Sequence, residues 1–564
     1  MKNFVDLYSD QILHSWLNGV MQSPWVEPDR SWNKLIPKNF PRTLDYPEVP
    51  LFEICDQAAQ KFRNNVCVCM LPQNVKYTYL ELKYYSDKFA AALSDRFGIG
   101  KGASVGIITW NSPEYVFSLF GVLKTGASCT LINPLVPMDD VKYMIANAEI
   151  VDTAILDESL YPTIKDIKEI KNFITIGESE IKGVNNFGKL LEAYESKRPS
   201  VEIDPKNDTA ALIYTGGTTG RPKGVVLTHF NLLANALQCA YFGRHPNQVR
   251  LALGKGVTLI ILPICHISGF AMLLTALYEG HMNVMTRHFD LEAICDAIEK
   301  YKATKFPVVP TIISYLINYP DLTKYDFSSI EICGSGAFPL PPEVADKFEE
   351  MTGVKMVQGY GLTEMCAASA SNPIWAPSLV KPESVGIPII DTDLKIVDPD
   401  TKNELPPGEV GEAWWRGPQL MKEYWKAPEE TKSALKNGWL RSGDLAKIDD
   451  DGYVYMVERL KDIIKYKGYK IFPDEIESKL CEHPAVMECA VVGVRDPVVG
   501  ETIKAFVVLN SQYDGKITEQ EIIQWAKKKM GPLKYPRVVE FRESIPKTLV
   551  GKPSRRLLRE ESSK

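Results

Sequence analysis

The chain has 564 residues, too long for one compact core, and this length predicts about three or four domain-sized units. Hydrophobic residues make up 45% and charged residues 24%, as in an ordinary globular protein, and the net charge of −6 argues against a nucleic-acid partner. The eleven cysteines contain no CxxC pair, which argues against a zinc site or a disulfide framework and predicts reduced cysteines in a cytoplasmic protein.

The two ends of the chain show no targeting signal. Residues 1–50 are rich in Trp and Pro, which predicts an irregular arm, and MKNFVDLYSDQ lacks the apolar core of a signal peptide. The last residues, EESSK, are not a peroxisomal address. Both ends therefore fit a cytoplasmic location.

The middle of the chain predicts an α/β fold with two doubly wound lobes. Short apolar strands alternate with amphipathic helices, a pattern typical of parallel sheets covered on both faces. Helices are predicted over Tyr79–Leu93 and Glu114–Lys124, and strands over Ser104–Thr109, Ser128–Ile132, Val151–Leu156, Phe173–Ile176, Thr258–Leu262, Asn283–Met285, Phe306–Val309, Ile330–Cys333 and Lys355–Val357.

One uncharged segment, Val257–Leu277, is long enough to cross a bilayer. Pro263, His266, Ser268 and Gly269 interrupt its middle. We therefore predict a strand, a loop and a buried helix here, and no membrane span.

A glycine-rich loop follows the apolar strand Ala211–Tyr214, in the sequence TGGTTGRPKG. Glycine lets backbone N–H groups approach an anion closely, hydroxyls add donors, and Lys223 adds a positive charge. Pro222 stands where a Walker loop has glycine. The loop predicts a phosphate site, with a plain surface hairpin as the alternative; its candidate residues are Thr215, Gly216, Gly217, Thr218, Thr219, Gly220 and Lys223.

The pattern of predicted secondary structure changes twice in the last third of the chain. Residues from about 389 to 458 form short strands with Pro/Gly turns, which predicts a small β-barrel that ends in the ribose-binding segment. A helix over Pro473–Cys481, strands over Val486–Val494 and Thr502–Leu509, and a helix capped by Thr518 and Glu521 then predict a small α+β domain. We place a large N-terminal domain at 1–460 and a small C-terminal domain at 461–564.

The phosphate loop resembles that of the adenylate-forming enzymes, which include acyl-CoA synthetases, luciferases and the adenylation domains of peptide synthetases. Further motifs follow in the family's order from about Leu51 to Arg559. The resemblance implies an AMP-forming carboxylic acid–CoA ligase that uses ATP, Mg²⁺ and CoA. It also implies a small domain that swings about a hinge.

The adenine and metal positions follow from QGYGLTE. Tyr360 offers an aromatic face, Thr363 a hydroxyl for the α-phosphate, and Glu364 a hard carboxylate for Mg²⁺. The resemblance adds the turn after strand Ile330–Cys333. The positions carried over to the nucleotide site are Gly336, Ala337, Gln358, Gly359, Tyr360 and Thr363.

The resemblance also implies an acyl pocket near Gly334, His266, Phe270 and Gly361. Acetate-specific relatives have Trp where Gly361 stands, so we expect an acid larger than acetate. His266 is expected to orient the carboxylate or to move aside for pantetheine; a hydrogen-bonded core histidine is the alternative. Phe270 is expected to narrow the tunnel, which favours short- to medium-chain aliphatic acids, including hydroxybutyrate-sized ones, over long-chain acids. A long-chain or an aryl acid is the alternative.

The ribose, hinge and CoA positions lie towards the small domain. Asp444, in WLRSGDL, suits the two vicinal ribose hydroxyls, and Arg459 reaches the ribose and phosphates. Lys461 occupies the hinge position, and many relatives have Gly where Glu458 stands. The predicted CoA contacts are Lys465, Lys467, Gly468 and Tyr469; a solvated basic face is the alternative for the lysines.

Near the C-terminus, PKTLVGKPSR matches the loop that bears the family's catalytic lysine, here Lys552. Pro553 replaces an aliphatic residue and is expected to stiffen that loop. The predicted catalytic residues are Lys552, Lys223, Thr363 and His266.

Three other functions are alternatives to the ligase. The acyl group could pass to a carrier protein, a luciferase-like oxidation could follow, or the chain could be a non-catalytic nucleotide or acyl sensor. Retention of Lys223, Glu364, Asp444, Arg459 and Lys552 argues against the sensor. A homo-oligomer is compatible with the sequence.

Overall fold

Residues 23–27, 29–37, 41–150, 152–215, 221–243, 253–496, 499–547 and 553–562 are described by a computed structural model of the chain. They form a mixed α/β protein with a large N-terminal and a smaller C-terminal domain, which confirms the predicted class. In chain order, helices α1 to α15 are Glu53–Phe62, Tyr79–Phe97, Pro113–Lys124, Met138–Asn147, Tyr161–Ile164, Phe187–Ala193, His229–Phe242, Ile267–Glu279, Leu291–Tyr301, Pro310–Ile317, Pro342–Thr352, Pro428–Ala434, Pro473–Cys481, Glu519–Lys529 and Arg555–Ser562.

The strands are numbered in the same way. Strands β1 to β27 are Val66–Leu71, Val75–Thr78, Ser104–Ile108, Ser128–Leu131, Thr153–Asp157, Asn172–Ile176, Asn185–Asn186, Thr209–Thr215, Lys223–Thr228, Val257–Ile260, Met282–Thr286, Lys305–Val308, Ile332–Ser335, Met356–Leu362, Ala367–Ser371, Ile387–Pro388, Asp393–Val397, Gly411–Arg416, Glu423–Tyr424, Leu435–Lys436, Trp439–Ile448, Val454–Arg459, Ile464–Tyr466, Tyr469–Ile471, Val486–Asp496, Gly500–Leu509 and Val538–Phe541.

Two large sheets dominate the N-terminal part. One has the order β19-β9-β8-β4-β3-β5-β6-β7, with parallel pairing from β8 to β7. The other has the order β16-β15-β14-β13-β12-β10-β11-β1-β2, with parallel pairing from β14 to β1. Their central strands are apolar and buried, as expected for parallel sheets that helices cover on both faces.

Local signals set the ends of several helices. α2 begins with a capping box between Thr78 and Glu81 and ends at Gly98, whose φ of +67° suits glycine. The capping box predicted for Thr518 and Glu521 is present at the start of α14. The uncharged segment Val257–Leu277 contains β10, a loop and most of α8, as predicted, and none of the described helices is long and apolar enough to span a bilayer.

The chain divides into two compact units. The first comprises residues 1–336, 342–393 and 415–440, and the second comprises residues 337–341, 394–414 and 441–564. The second unit therefore begins before Lys461 and takes in most of the region for which a β-barrel is predicted. The domain boundary at 460/461 stays a prediction.

The second unit contains the small α+β domain. Its sheet has the order β24-β23-β26-β25, with β27 parallel to β26, and α13 and α14 pack over an apolar core that includes Ile476, Val491, Ile503 and Ile522. In the barrel region β18 lies between β17 and β21, and β22 pairs with β21.

Candidate active site

The glycine-rich loop closes a β-hairpin in the first unit. β8 and β9 are antiparallel, and Thr215 faces Lys223 across the last pair. Both side chains are half-buried. Gly216, Gly217, Thr218, Thr219 and Gly220 lie outside the described residues. The hairpin thus places the predicted hydroxyl and ammonium groups together at the two ends of the loop.

A tyrosine that the sequence analysis missed links this hairpin to the predicted metal carboxylate. β19 pairs with β9 and brings Tyr424 opposite Val225. The Lys223 ammonium lies 5.6 Å from the centre of the Tyr424 ring, and the Tyr424 hydroxyl donates to Glu364 Oε1 at 2.7 Å. Burial, followed by the Glu364 charge, holds the pKa of Tyr424 well above its usual value, so the phenol stays a donor.

Glu364 is the residue predicted to hold Mg²⁺. Its Oε1 is held by Tyr424, and no described residue hydrogen-bonds to Oε2. No cluster of three or more His, Cys, Asp or Glu side chains suited to a metal occurs within the described ranges. A single carboxylate can take part in holding Mg²⁺, which usually binds through one or two carboxylates together with phosphates and water.

The predicted adenine wall is a stacked aromatic pair. Tyr360 lies on Trp415 with ring centres 5.4 Å apart and planes 21° apart. Trp415 has no exposed surface, so it fixes the plane of the half-buried Tyr360. Sequence analysis missed Trp415, although the adjacent tryptophans in EAWWRG are an unusual pattern for a strand.

Backbone near this pair leaves room for a flat ligand. A Cβ placed on Gly334 meets no atom within 4 Å, and one on Gly336 meets only the Gly359 carbonyl, at 3.7 Å. Thr363 begins a short 3-10 turn directly before Glu364. Gln358 donates to the Pro382 carbonyl. Of the other predicted adenine residues, Ala337 belongs to the second unit and has φ of +74°.

The structure explains why position 361 is glycine, which the sequence did not reveal. A Cβ at this position lies 1.6 Å from the Ala367 carbonyl oxygen, at a register shift between β14 and β15. The close approach of the two strands therefore requires glycine here, whatever the size of the acyl pocket.

His266 caps helix α8 and is neutral. Its Nδ1 accepts a hydrogen bond from the Ser268 amide at 3.3 Å, which leaves Nε2–H as the donor that the ring can offer. Burial lowers the pKa of His266 to about 4. Phe270, one turn further along α8, has no exposed surface and lies in the core, so this structure does not place it at the wall of an open tunnel.

This neutrality predicts how His266→Asn changes the pH profile. We expect kcat/KM for the acid to fall about tenfold, as for one lost hydrogen bond to a charged group, with the shape of the profile between about pH 5.5 and 8 unchanged. A break near the ordinary histidine pKa of about 6.5 that disappears in the variant would contradict a neutral role. Because the native pKa is depressed, stability should fall as pH drops from about 6.5 towards 4.

The predicted ribose residues form a pair in the second unit. Asp444 and Arg459 are partners across β21 and β22, and Arg459 Nε lies 3.2 Å from Asp444 Oδ1. The turn before Asp444 is held by Glu412, which accepts from Arg441 and from the Gly443 amide. Sequence analysis missed this buried glutamate.

The predicted CoA residues lie on an exposed hairpin of the same unit. β23 and β24 are joined by Lys467 and Gly468, which have φ of +50° and +82°. This is the turn geometry that favours glycine at the second position. A Cβ on Gly468 meets open space, Tyr469 is 57% exposed, and Lys465 is exposed. The hinge candidate Lys461 is also exposed.

The loop that carries Lys552 lies outside the described residues, but its base is described. Lys547 and Pro553 form an isolated antiparallel bridge, and the Ser554 amide donates to the Pro546 carbonyl at 2.7 Å. Lys547 pairs with Glu488 at 3.1 Å.

Comparisons with known proteins show what this chain is similar to. A sequence profile described as "AMP-binding enzyme" matches residues 55–425, and one described as "AMP-binding enzyme C-terminal domain" matches residues 475–552. A long-chain-fatty-acid–CoA ligase of Bacillus subtilis is 35% identical over 95% of this chain and 99% of its own. A 4-coumarate:CoA ligase of Petunia hybrida is 36% identical, covering 91% and 94%. The crystal structure of ATP-bound MatB from Rhodopseudomonas palustris superposes with a TM-score of 0.81 at 27% identity, covering 91% and 99%.

Proposed function

This chain belongs to the AMP-binding enzyme family and is an AMP-forming acid–CoA ligase, and from that premise we propose which residues carry its chemistry and which acids it takes. ATP and CoA are its substrates, as in the family. Activation of the acid releases pyrophosphate, and transfer of the acyl group to CoA releases AMP.

Adenylation needs no general base, because a carboxylate is already ionised at neutral pH. The carboxylate oxygen attacks the α-phosphorus, and the enzyme positions the two groups and neutralises charge. Lys223 and the loop hydroxyls hold the phosphates, Thr363 donates to the α-phosphate, and Lys552 bridges the carboxylate and the α-phosphate. When bound, Mg²⁺ supplies charge neutralisation at the phosphates, and Glu364 is the residue that holds it.

The observation that carries this proposal is the contact series from Lys223 through Tyr424 to Glu364. It joins the phosphate loop to the metal carboxylate across about 140 residues of sequence, within one compact unit. A phosphate-neutralising lysine and a hard carboxylate on either side of one half-buried phenol suit a nucleotide–metal complex.

Thioester formation follows in the proposed cycle. The small domain swings about Lys461, withdraws Lys552 and brings Gly468 to the acyl-adenylate, where the CoA thiol displaces AMP. The exposed hairpin of Lys465, Lys467 and Tyr469 then meets CoA. One site thereby performs two reactions in turn.

The acid is proposed to be aliphatic, larger than acetate, and short- to medium-chain. The expectation of an acid larger than acetate rests on Gly361, where acetate-specific relatives have Trp. The burial of Phe270 removes one argument for an upper limit on chain length. A long-chain fatty acid is therefore the second candidate, favoured by the 35% identity with a ligase named for such acids.

A panel of carboxylates tests this assignment by ATP- and CoA-dependent AMP release. The panel runs from acetate through butyrate, 3-hydroxybutyrate, octanoate and palmitate to 4-coumarate. We expect the highest kcat/KM between butyrate and octanoate. A maximum at palmitate supports the second candidate, and failure of every acid to drive pyrophosphate exchange refutes the residue assignments. Location in the cytoplasm and the oligomeric state stay predictions.

Tyr424→Phe tests the link to the metal carboxylate. Without the phenol donor, Glu364 loses the contact that orients it, and the loss of a hydrogen bond that orients a metal ligand weakens metal binding about tenfold or more. We expect the Mg²⁺ concentration for half-maximal pyrophosphate exchange to rise about tenfold. Tyr214→Phe is the matched control, since that hydroxyl donates to Asn147. An unchanged Mg²⁺ dependence in Tyr424→Phe would show that the phenol has no such role.

A further inference from the structure

Glu458 stands at a position for which the adenylation and thioester chemistry gives no role. Glu458 is 5% exposed, and its carboxylate accepts three hydrogen bonds, from the Arg459 amide at 2.8 Å, the Asp474 amide at 3.0 Å and Arg555 Nη1 at 3.0 Å. All of these residues lie in the second unit. Glu458 is therefore tied to two other elements at once, α13 and α15.

The contact with α13 supplies a missing cap. Asp474 is in the first turn of α13, where backbone amides lack partners within the helix. Phe472, at the N-cap position, makes no side-chain cap. The Glu458 carboxylate takes that role from a strand outside the helix, and its negative charge faces the positive end of the helix dipole.

The contact with α15 goes through a buried arginine. Arg555 is the first residue of α15 and is 6% exposed. Besides Glu458, it binds both carboxylate oxygens of Glu477, at 3.1 and 2.7 Å, and contacts Asp474. Asp462 lies 3.7 Å from the same guanidinium.

These partners fall on two sides of the proposed hinge. Asp462, Asp474, Glu477 and Arg555 all follow Lys461 in the sequence, so they move together when the chain rotates there. Glu458 precedes Lys461. A rotation at the hinge separates Glu458 from Arg555 and from the Asp474 amide, because hydrogen bonds of about 3 Å do not survive a domain swing.

We propose that Glu458 is a positioning residue that holds the C-terminal domain in one of its two working arrangements, by capping α13 and binding Arg555 across the hinge. The inference rests on the proposed alternation about Lys461. Glu458 then biases the balance between the arrangement for adenylation and the arrangement for thioester formation.

The contacts of Glu458 with Arg555 and the Asp474 amide can also be broken when the domain rotates. Burial, followed by the Asp474 charge, raises the pKa of Glu458 to about 7, while Arg555 opposes them. On balance the surroundings therefore disfavour the ionised carboxylate of Glu458, and the hydrogen bonds that its two oxygens accept provide the hold. Release into water returns the hydration that burial removed.

The test compares substitutions of two glutamates that bind the same arginine, Arg555. Glu458→Ala removes the acceptors that cross the hinge, and Glu477→Ala removes acceptors that lie wholly on its C-terminal side. Each half-reaction is measured separately, adenylation by pyrophosphate exchange and thioester formation from preformed acyl-adenylate. Thermal unfolding of each variant reports folding.

We expect Glu458→Ala to change the ratio of the two rates about tenfold, the size for a lost buried hydrogen bond to a charged group. Glu458→Gln keeps one acceptor oxygen but places an amide NH2 against the donors on the other side, so it should restore the ratio only in part. Glu477→Ala should lower the unfolding temperature and leave the ratio unchanged. An unchanged ratio in Glu458→Ala, or an equal change in Glu477→Ala, overturns the proposal.

The two hypotheses fail in different ways. If wild-type enzyme shows neither pyrophosphate exchange nor thioester formation, the residue assignments fail and the ratio has no meaning. If both reactions run in the wild type and the ratio does not respond to Glu458→Ala, only the positioning role fails.

Discussion

Replacement of Lys552 by alanine is expected to slow adenylation by about 10²–10³-fold, the scale for loss of one donor that stabilises developing charge. The ammonium is proposed to contact the attacking carboxylate and the α-phosphate only while that bond forms. Thioester formation from preformed acyl-adenylate should therefore keep its rate. Pyrophosphate exchange and single-turnover CoA acylation measure the two steps separately.

Lys547→Ala is the control for this experiment. Lys547 lies at the base of the same loop, bridged to Pro553, and pairs with Glu488 at 3.1 Å. It should lower adenylation little, since a partly exposed ion pair contributes at most about 1 kcal/mol. Equal losses of both half-reactions in Lys552→Ala would refute the division of labour.

Replacement of Gly468 by tryptophan is expected to abolish CoA-dependent turnover and to spare pyrophosphate exchange. The added side chain enters open space at the tip of an exposed hairpin, where no described atom lies within 4 Å of a Cβ. It therefore blocks the approach of the pantetheine arm without repacking a core. AMP release with and without CoA separates the two effects.

A second variant, Gly438→Trp, controls for the backbone strain that any side chain at positive φ adds. Asn437 and Gly438 form a second turn with φ of +50° and +80°, nearly the values of Lys467 and Gly468, and a Cβ on Gly438 also meets open space. Gly438→Trp carries the same backbone cost, about 1–2 kcal/mol. CoA turnover retained in Gly468→Trp, or lost equally in Gly438→Trp, contradicts the tunnel assignment.

Residues close together in sequence determined most of what could be predicted. The strand before the glycine-rich loop, the capping box at Thr518, and the break of the uncharged segment at Pro263 all depend on neighbours within a few positions. The loop motif and the motifs after it indicated the family, and the comparisons confirm it. Local chemistry was sufficient there because backbone conformation and anion binding are short-range effects.

Tertiary structure alone decided the contacts between distant residues. Tyr424 reaches Glu364 because β19 pairs with β9, and Gly361 is required because the Ala367 carbonyl approaches it. Glu458 meets Arg555, 97 residues further along, only because the fold brings the first residue of α15 to β22. None of these follows from periodicity, since a sheet register and a buried ion pair are set by packing between segments that the sequence keeps far apart.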